Sequence, residues 1–111
     1  MGAINFNEIE GGEAGLNYYS NLAVGKWGLL MDDFLYNNVD MTGDHKAKIA
    51  LIDSGNTSIQ LPATMFNNVI NEIKKVDRTV FTQVVDGNTI LVSRQQCKDL
   101  WSVYGDIAFT L

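Results

Sequence analysis

The sequence predicts a mainly β fold with one amphipathic helix, and three features carry that prediction. An apolar run from Ala47 to Ile52 breaks abruptly into Asp53-Ser54-Gly55-Asn56-Thr57-Ser58 and recovers at Ile59. Two β-like runs, Val80 to Val85 and Thr89 to Val92, flank Asp86-Gly87-Asn88, where Gly and Asn tolerate the positive φ of a tight hairpin. Behind Pro62, the residues Phe66, Val69, Ile70 and Ile73 recur at helical spacing. A chain of 111 residues, 46% hydrophobic and 10% aromatic, has room for a modest core, so residues 1–111 are read as one domain.

Taken in order, Ile4 and Phe6 alternate with polar neighbours as a short strand would, before a Gly-rich turn over 10–15. A second turn at Gly25 leads into Trp27, Leu29 and Met31 and then Phe34 and Tyr36, a β-like stretch of large side chains. Asn37-Asn38 reads as a hairpin tip, and so does Thr42-Gly43-Asp44-His45. The run from Ala47 is expected to be a buried strand that delivers a polar loop, with a further strand after it up to Pro62. Residues 63–75 are expected to form the amphipathic helix, its stripe facing a sheet. The last apolar stretch, Ile107 to Leu111, reads as a strand.

Composition removes several function classes. A net charge of −5, with Lys46/Lys48 and Lys74/Lys75 the closest approach to basic pairs, argues against a nucleic-acid groove. No apolar run is long enough to span a bilayer, and the first residues carry no signal-peptide pattern, leaving a cytosolic chain or one whose front is missing. With Cys97 and His45 as the lone cysteine and histidine, neither an internal disulfide nor a structural zinc site is expected, nor any cofactor. Cys97 reads as a small buried apolar residue and His45 as a solvated turn residue. Glu8, Glu10 and Glu13 lack calcium-loop spacing.

The stretch after the apolar run carries the chemistry. A carboxylate at a strand end, on a loop of small residues, is fixed in place by the strand, while Ser54 and Gly55 offer hydroxyl and N–H donors to its ionised form. Ile49-Ala50-Leu51-Ile52-Asp53-Ser54-Gly55-Asn56-Thr57-Ser58-Ile59-Gln60-Leu61-Pro62 resembles the catalytic loop of pepsin-like aspartic proteases, hydrophobic-hydrophobic-Asp-Thr/Ser-Gly-Thr/Ser, with the proline that follows before a helix. Other stretches line up in the order of that family's C-terminal lobe. Ile4-Asn5-Phe6 with Gly11-Gly12 looks like its opening strand and turn, Leu16-Asn17-Tyr18 and Lys26-Trp27-Gly28-Leu29 like the two strands before the loop, and Cys97 with Asp106-Ile107-Ala108-Phe109-Thr110 like its late cysteine and strand.

The resemblance implies a partial pepsin-like lobe and peptide hydrolysis by two aspartates that share one proton and activate a water between them. Asp53 is then the catalytic acid/base, Ser54 ties the paired loops together, and Gly55 permits close backbone approach. Asn56 departs from the usual Thr or Ser, and Thr57 is the substitute for the missing hydroxyl. The Asn56-Thr57-Ser58 glycosylation pattern is accidental on this reading, because a glycan there would fill the cleft.

The sequence holds one Asp-Ser-Gly triplet where the mechanism needs two aspartates, and it contains neither a partner for Cys97 nor the family's hydrophobic-hydrophobic-Gly motif. The expectation is therefore a fragment, a truncated product or a piece of a larger assembly, inactive alone. The partners expected are a peptide or protein substrate once a second lobe is present, and other chains completing the sheet. A homodimer of the retroviral type is disfavoured because such chains carry the closing Gly motif themselves. The alternative is a non-catalytic subunit held in an assembly by strand pairing. Family members are mostly secreted, lysosomal or vacuolar.

Overall fold

The computed structural model describes residues 2–43 and 49–111. The His45 turn, the Lys46/Lys48 pair and the start of the run at Ala47 lie outside the described residues. Among these residues, seven short strands and two α-helices follow in chain order. They are β1 (Gly28–Leu30), β2 (Asp33–Tyr36), β3 (Val39–Asp40), β4 (Ile49–Leu51), α1 (Ala63–Ile73), β5 (Phe81–Val85), β6 (Asn88–Val92), α2 (Cys97–Leu100) and β7 (Ile107–Thr110). The fold is mainly β, in three antiparallel sheets: β1 with β4, β3-β2-β7, and β5 with β6.

Local chemistry explains the turns. Asn37 and Asn38 both take positive φ, 50° and 62°, which closes the β2–β3 hairpin as expected of two Asn residues. Asp86 and Gly87, at φ 50° and 80°, close β5–β6 in the same manner, pairing Val85 with Asn88.

The start of the chain departs from the expected strand. Asn5 caps a 3₁₀ turn at Phe6–Glu8 through its side chain, which accepts from the Asn7 N–H, and a second 3₁₀ turn occupies Gly12–Gly15. Local Asn capping here outcompetes the weak two-position alternation. Leu16-Asn17-Tyr18 forms no strand, whereas Gly28 and Leu29 belong to β1.

Helix α1 begins after Pro62, whose fixed φ suits a helix start, and stops at Ile73, short of the expected Lys75. Its buried stripe is Met65, Val69, Ile70 and Ile73, with Phe66 half-buried. Met65, Val69 and Ile73 meet Met31, Phe34, Tyr36, Met41 and Val80 in the one described core cluster. Asn68 Nδ2 donates to the Met41 carbonyl at 2.8 Å, tying the helix to the segment after β3. The helix thus packs on the β2 sheet, as its periodicity predicts.

Two expectations fail on burial. Ile49 and Leu51 of β4 are exposed: among the described residues β4 pairs with β1 alone, and it is Ala50, on the opposite face, that packs against the core. No strand follows the Asp53 loop; residues 52–62 run without regular structure. Cys97 is exposed too, at the start of the short helix α2 that the sequence did not announce.

Candidate functional site

Asp53 stands two residues beyond β4. The register Gly28 with Leu51 sets Trp27 beside the strand's exit, and the Ile52 N–H donates to the Trp27 carbonyl at 2.8 Å, extending the ladder to the residue before the aspartate. Upstream, Asn21 Oδ1 accepts from the Gly28 N–H at 2.9 Å and from the Ala23 N–H at 3.2 Å, which folds the 21–28 segment onto the start of β1.

The loop then turns on its own polar atoms. Asp53 Oδ1 accepts from the Gly55 N–H at 2.9 Å, and the Asp53 carbonyl accepts from the Asn56 N–H at 3.2 Å. A Cβ on Gly55 would lie 3.2 Å from Asp53 Oδ1, so glycine permits the close approach. Asn56 Oδ1 in turn accepts from the Ser58 N–H at 3.2 Å. Of the expected helpers, Gly55 reaches the aspartate through its backbone. Ser54 and Thr57 make no side-chain hydrogen bond among the described residues, so neither hydroxyl supports Asp53 in this chain by itself.

Asp53 is solvent-exposed and opens into a groove of about 660 Å³. Trp27, Ile52 and Ile59 line it from the loop side, and Phe109 and Leu111 from the β7 side. Among the described residues lining it, Asp53 is the one acid and Lys26 the one base. The arrangement offers an accessible carboxylate, oriented by a backbone N–H, next to an apolar channel.

A second aspartate, which sequence reasoning passed over, lies elsewhere. Asp77 follows α1, is fully buried, and accepts five hydrogen bonds. Its Oδ1 takes the Thr79 N–H at 2.9 Å, Thr79 Oγ1 at 2.6 Å and Gln95 Nε2 at 3.3 Å. Its Oδ2 takes Ser93 Oγ at 2.6 Å and the Tyr104 hydroxyl at 2.8 Å. The bonds from Ser93 and Thr79 outweigh the cost of burial and hold the carboxyl well below the usual carboxylate range. Burial and the neighbouring Asp77 carboxylate push Tyr104 up to about 12. Asp-x-Thr in a turn was the available signal, but it marks a local Asx turn and says nothing of the distant donors.

Among the described residues no group of three His, Cys, Asp or Glu side chains could hold a metal ion, and no helix is long and apolar enough to cross a membrane. Comparison with family models, with curated proteins and with solved structures returns no match.

Proposed function

We propose that the chain is part of the C-terminal lobe of a pepsin-like aspartic endopeptidase, with Asp53 as one of its two catalytic carboxylates. The observation that carries the reading is the exposed Asp53 at the exit of a strand, oriented by the Gly55 N–H and facing an apolar groove. In such chemistry one carboxylate of a close pair is ionised and removes a proton from a bound water, while the other is protonated and donates to the scissile carbonyl. The water oxygen attacks the carbonyl carbon, and the shared proton passes on to the leaving amine, so no covalent enzyme intermediate and no metal takes part. Two carboxylates at that distance cannot both ionise, so the pair titrates as a unit.

This chain brings one such loop. Asp77 does not serve as the second aspartate, because both its oxygens are occupied inside the protein. The second carboxylate therefore comes from another polypeptide segment, and the chain by itself is inactive. Groove residues Trp27, Ile59 and Phe109 suit apolar side chains of an extended peptide.

A non-catalytic reading is favoured by a different observation. Tyr18, Val24, Trp27, Val84 and Trp101 are all exposed, and the two-stranded sheets leave open edges, as in a subunit covered by neighbouring chains. The deciding experiment is native mass spectrometry of the protein from its own source. A companion bearing a second Asp-Thr/Ser-Gly loop, with pepstatin-sensitive acid cleavage that Asp53→Asn abolishes, supports the protease. Unrelated companions in fixed stoichiometry and no cleavage overturn it.

A further inference from the structure

The five hydrogen bonds of Asp77 join segments that are far apart in sequence. Asp77 itself leaves α1, its N–H donating to the Ile73 carbonyl at 2.8 Å. Ser93 and Gln95 follow β6, and Tyr104 precedes β7. The next residue, Gly105, donates its N–H to the Tyr36 hydroxyl at 3.0 Å, and the Asp106 carbonyl accepts from the Asn37 N–H at 2.8 Å. From there β7 runs along β2, setting Phe109 against Phe34 with ring centroids 5.1 Å apart. Phe109 and Leu111 then form one wall of the Asp53 groove.

We propose that the Asp77 cluster is an acid-tolerant clasp that fixes the start of β7, and with it the Phe109–Leu111 wall of the groove, under conditions where exposed carboxylates take up protons. All five donors are neutral: a backbone N–H, the Thr79, Ser93 and Tyr104 hydroxyls and the Gln95 amide. Among the described residues, Tyr104 is the one titratable group that hydrogen-bonds the carboxylate. Arg78, next in sequence, makes no ion pair with it. The Arg94 guanidinium lies instead over the Phe81 ring at 5.2 Å, and Lys75, just past the end of α1, pairs with Glu72 on its last turn. No titrating cation is therefore needed to hold the clasp shut. Protonation of Asp77 weakens it, since a neutral carboxyl accepts less strongly than a carboxylate from these donors, and the strong bonds from Ser93 and Thr79 oppose that protonation.

The clasp stands apart from any role of Asp53, and its test is blind to catalysis. Amide hydrogen exchange of the full chain is read as protection factors for Ile107–Thr110, relative to those of α1, at pH 6 and at about pH 4. The wild-type ratio should change by less than about threefold between the two, because exposed carboxylates titrate near pH 4 and Asp77 does not. Asp77→Asn should lower β7 protection relative to α1 by about tenfold or more at pH 6. Should that variant fail to fold, Tyr104→Phe, which keeps the ring, should show the same selective loss to a smaller degree. A wild-type ratio that collapses at about pH 4, or a Tyr104→Phe chain whose β7 is protected as in wild type, overturns the proposal.

Discussion

Phe34→Ala is the substitution that most directly tests how this small core holds together. Phe34 is fully buried at the centre of the β3-β2-β7 sheet and belongs to the one described cluster, where α1 meets that sheet. Emptying such a site removes the transfer free energy of the ring and leaves a cavity, together about 3–5 kcal/mol. Of this, the tilted contact with Phe109 contributes about 0.5–1.5 kcal/mol beyond area burial. A folded chain of this size is stable by roughly 5–15 kcal/mol, so the loss takes a large share of the total. At about 2.1 cal/mol/K of unfolding entropy per residue, 111 residues give about 0.23 kcal/mol/K, and the melting point should fall by roughly 13–21 °C. Urea denaturation followed by circular dichroism measures the free energy directly. A Phe34/Phe109 double-mutant cycle to Leu then isolates the pair. A loss below about 1.5 kcal/mol for Phe34→Ala would show that the cluster is not the organising core, and the placement of β7 beside the Asp53 groove would lose its support.

Asp77 predicts a pH dependence whose sign follows from its lowered folded-state value. The unfolded carboxyl titrates near the ordinary value of about 3.9, so the stabilisation is present in full above that pH and is lost as pH falls toward the lower folded value. The difference in urea midpoint between wild type and Asp77→Asn should accordingly be flat from neutral pH to about pH 5 and shrink below about pH 4; a difference that widens on acidification refutes the assignment. Gly87 sits at φ 80° in the β5–β6 turn with open space around it, so Gly87→Ala should cost about 1–2 kcal/mol through backbone strain alone; an unchanged melting point would contradict the turn geometry. Asp53→Asn should leave the unfolding free energy from urea denaturation within about 0.5 kcal/mol of wild type, since the residue is exposed and accepts one local bond, while removing any acid cleavage by the assembled particle.

What the sequence disclosed was whatever depends on neighbours in the chain. Asn37-Asn38 and Asp86-Gly87 fix their turns through positive φ at those very residues, and Pro62 with the stripe through Val69, Ile70 and Ile73 fixes α1. Met65, the most buried residue of the helix, went unremarked because Phe66 beside it is larger and looks like the natural core residue; the helix phase turns Met65 inward and leaves Phe66 half-buried. The apolar character of β4 reads as burial, but burial requires a covering layer that no local pattern supplies, and in this chain Ile49 and Leu51 face solvent.

The two aspartates show where local reading stops. Asp53 and Asp77 adopt the same short-range motif, Oδ1 accepting from the N–H two residues on, Gly55 in one case and Thr79 in the other, each at 2.9 Å. Sequence distinguishes them by flanking hydrophobicity and directs attention to Asp53. What separates them physically is long-range: Ser93, Gln95 and Tyr104 arrive from 16 to 27 residues away to bury Asp77, whereas among the described residues no side chain hydrogen-bonds Asp53. A carboxylate whose lone pairs are all engaged cannot bind a water for attack on a carbonyl, and one with a free oxygen facing a groove can. The same local turn thus yields an anchor in one place and an open site in the other.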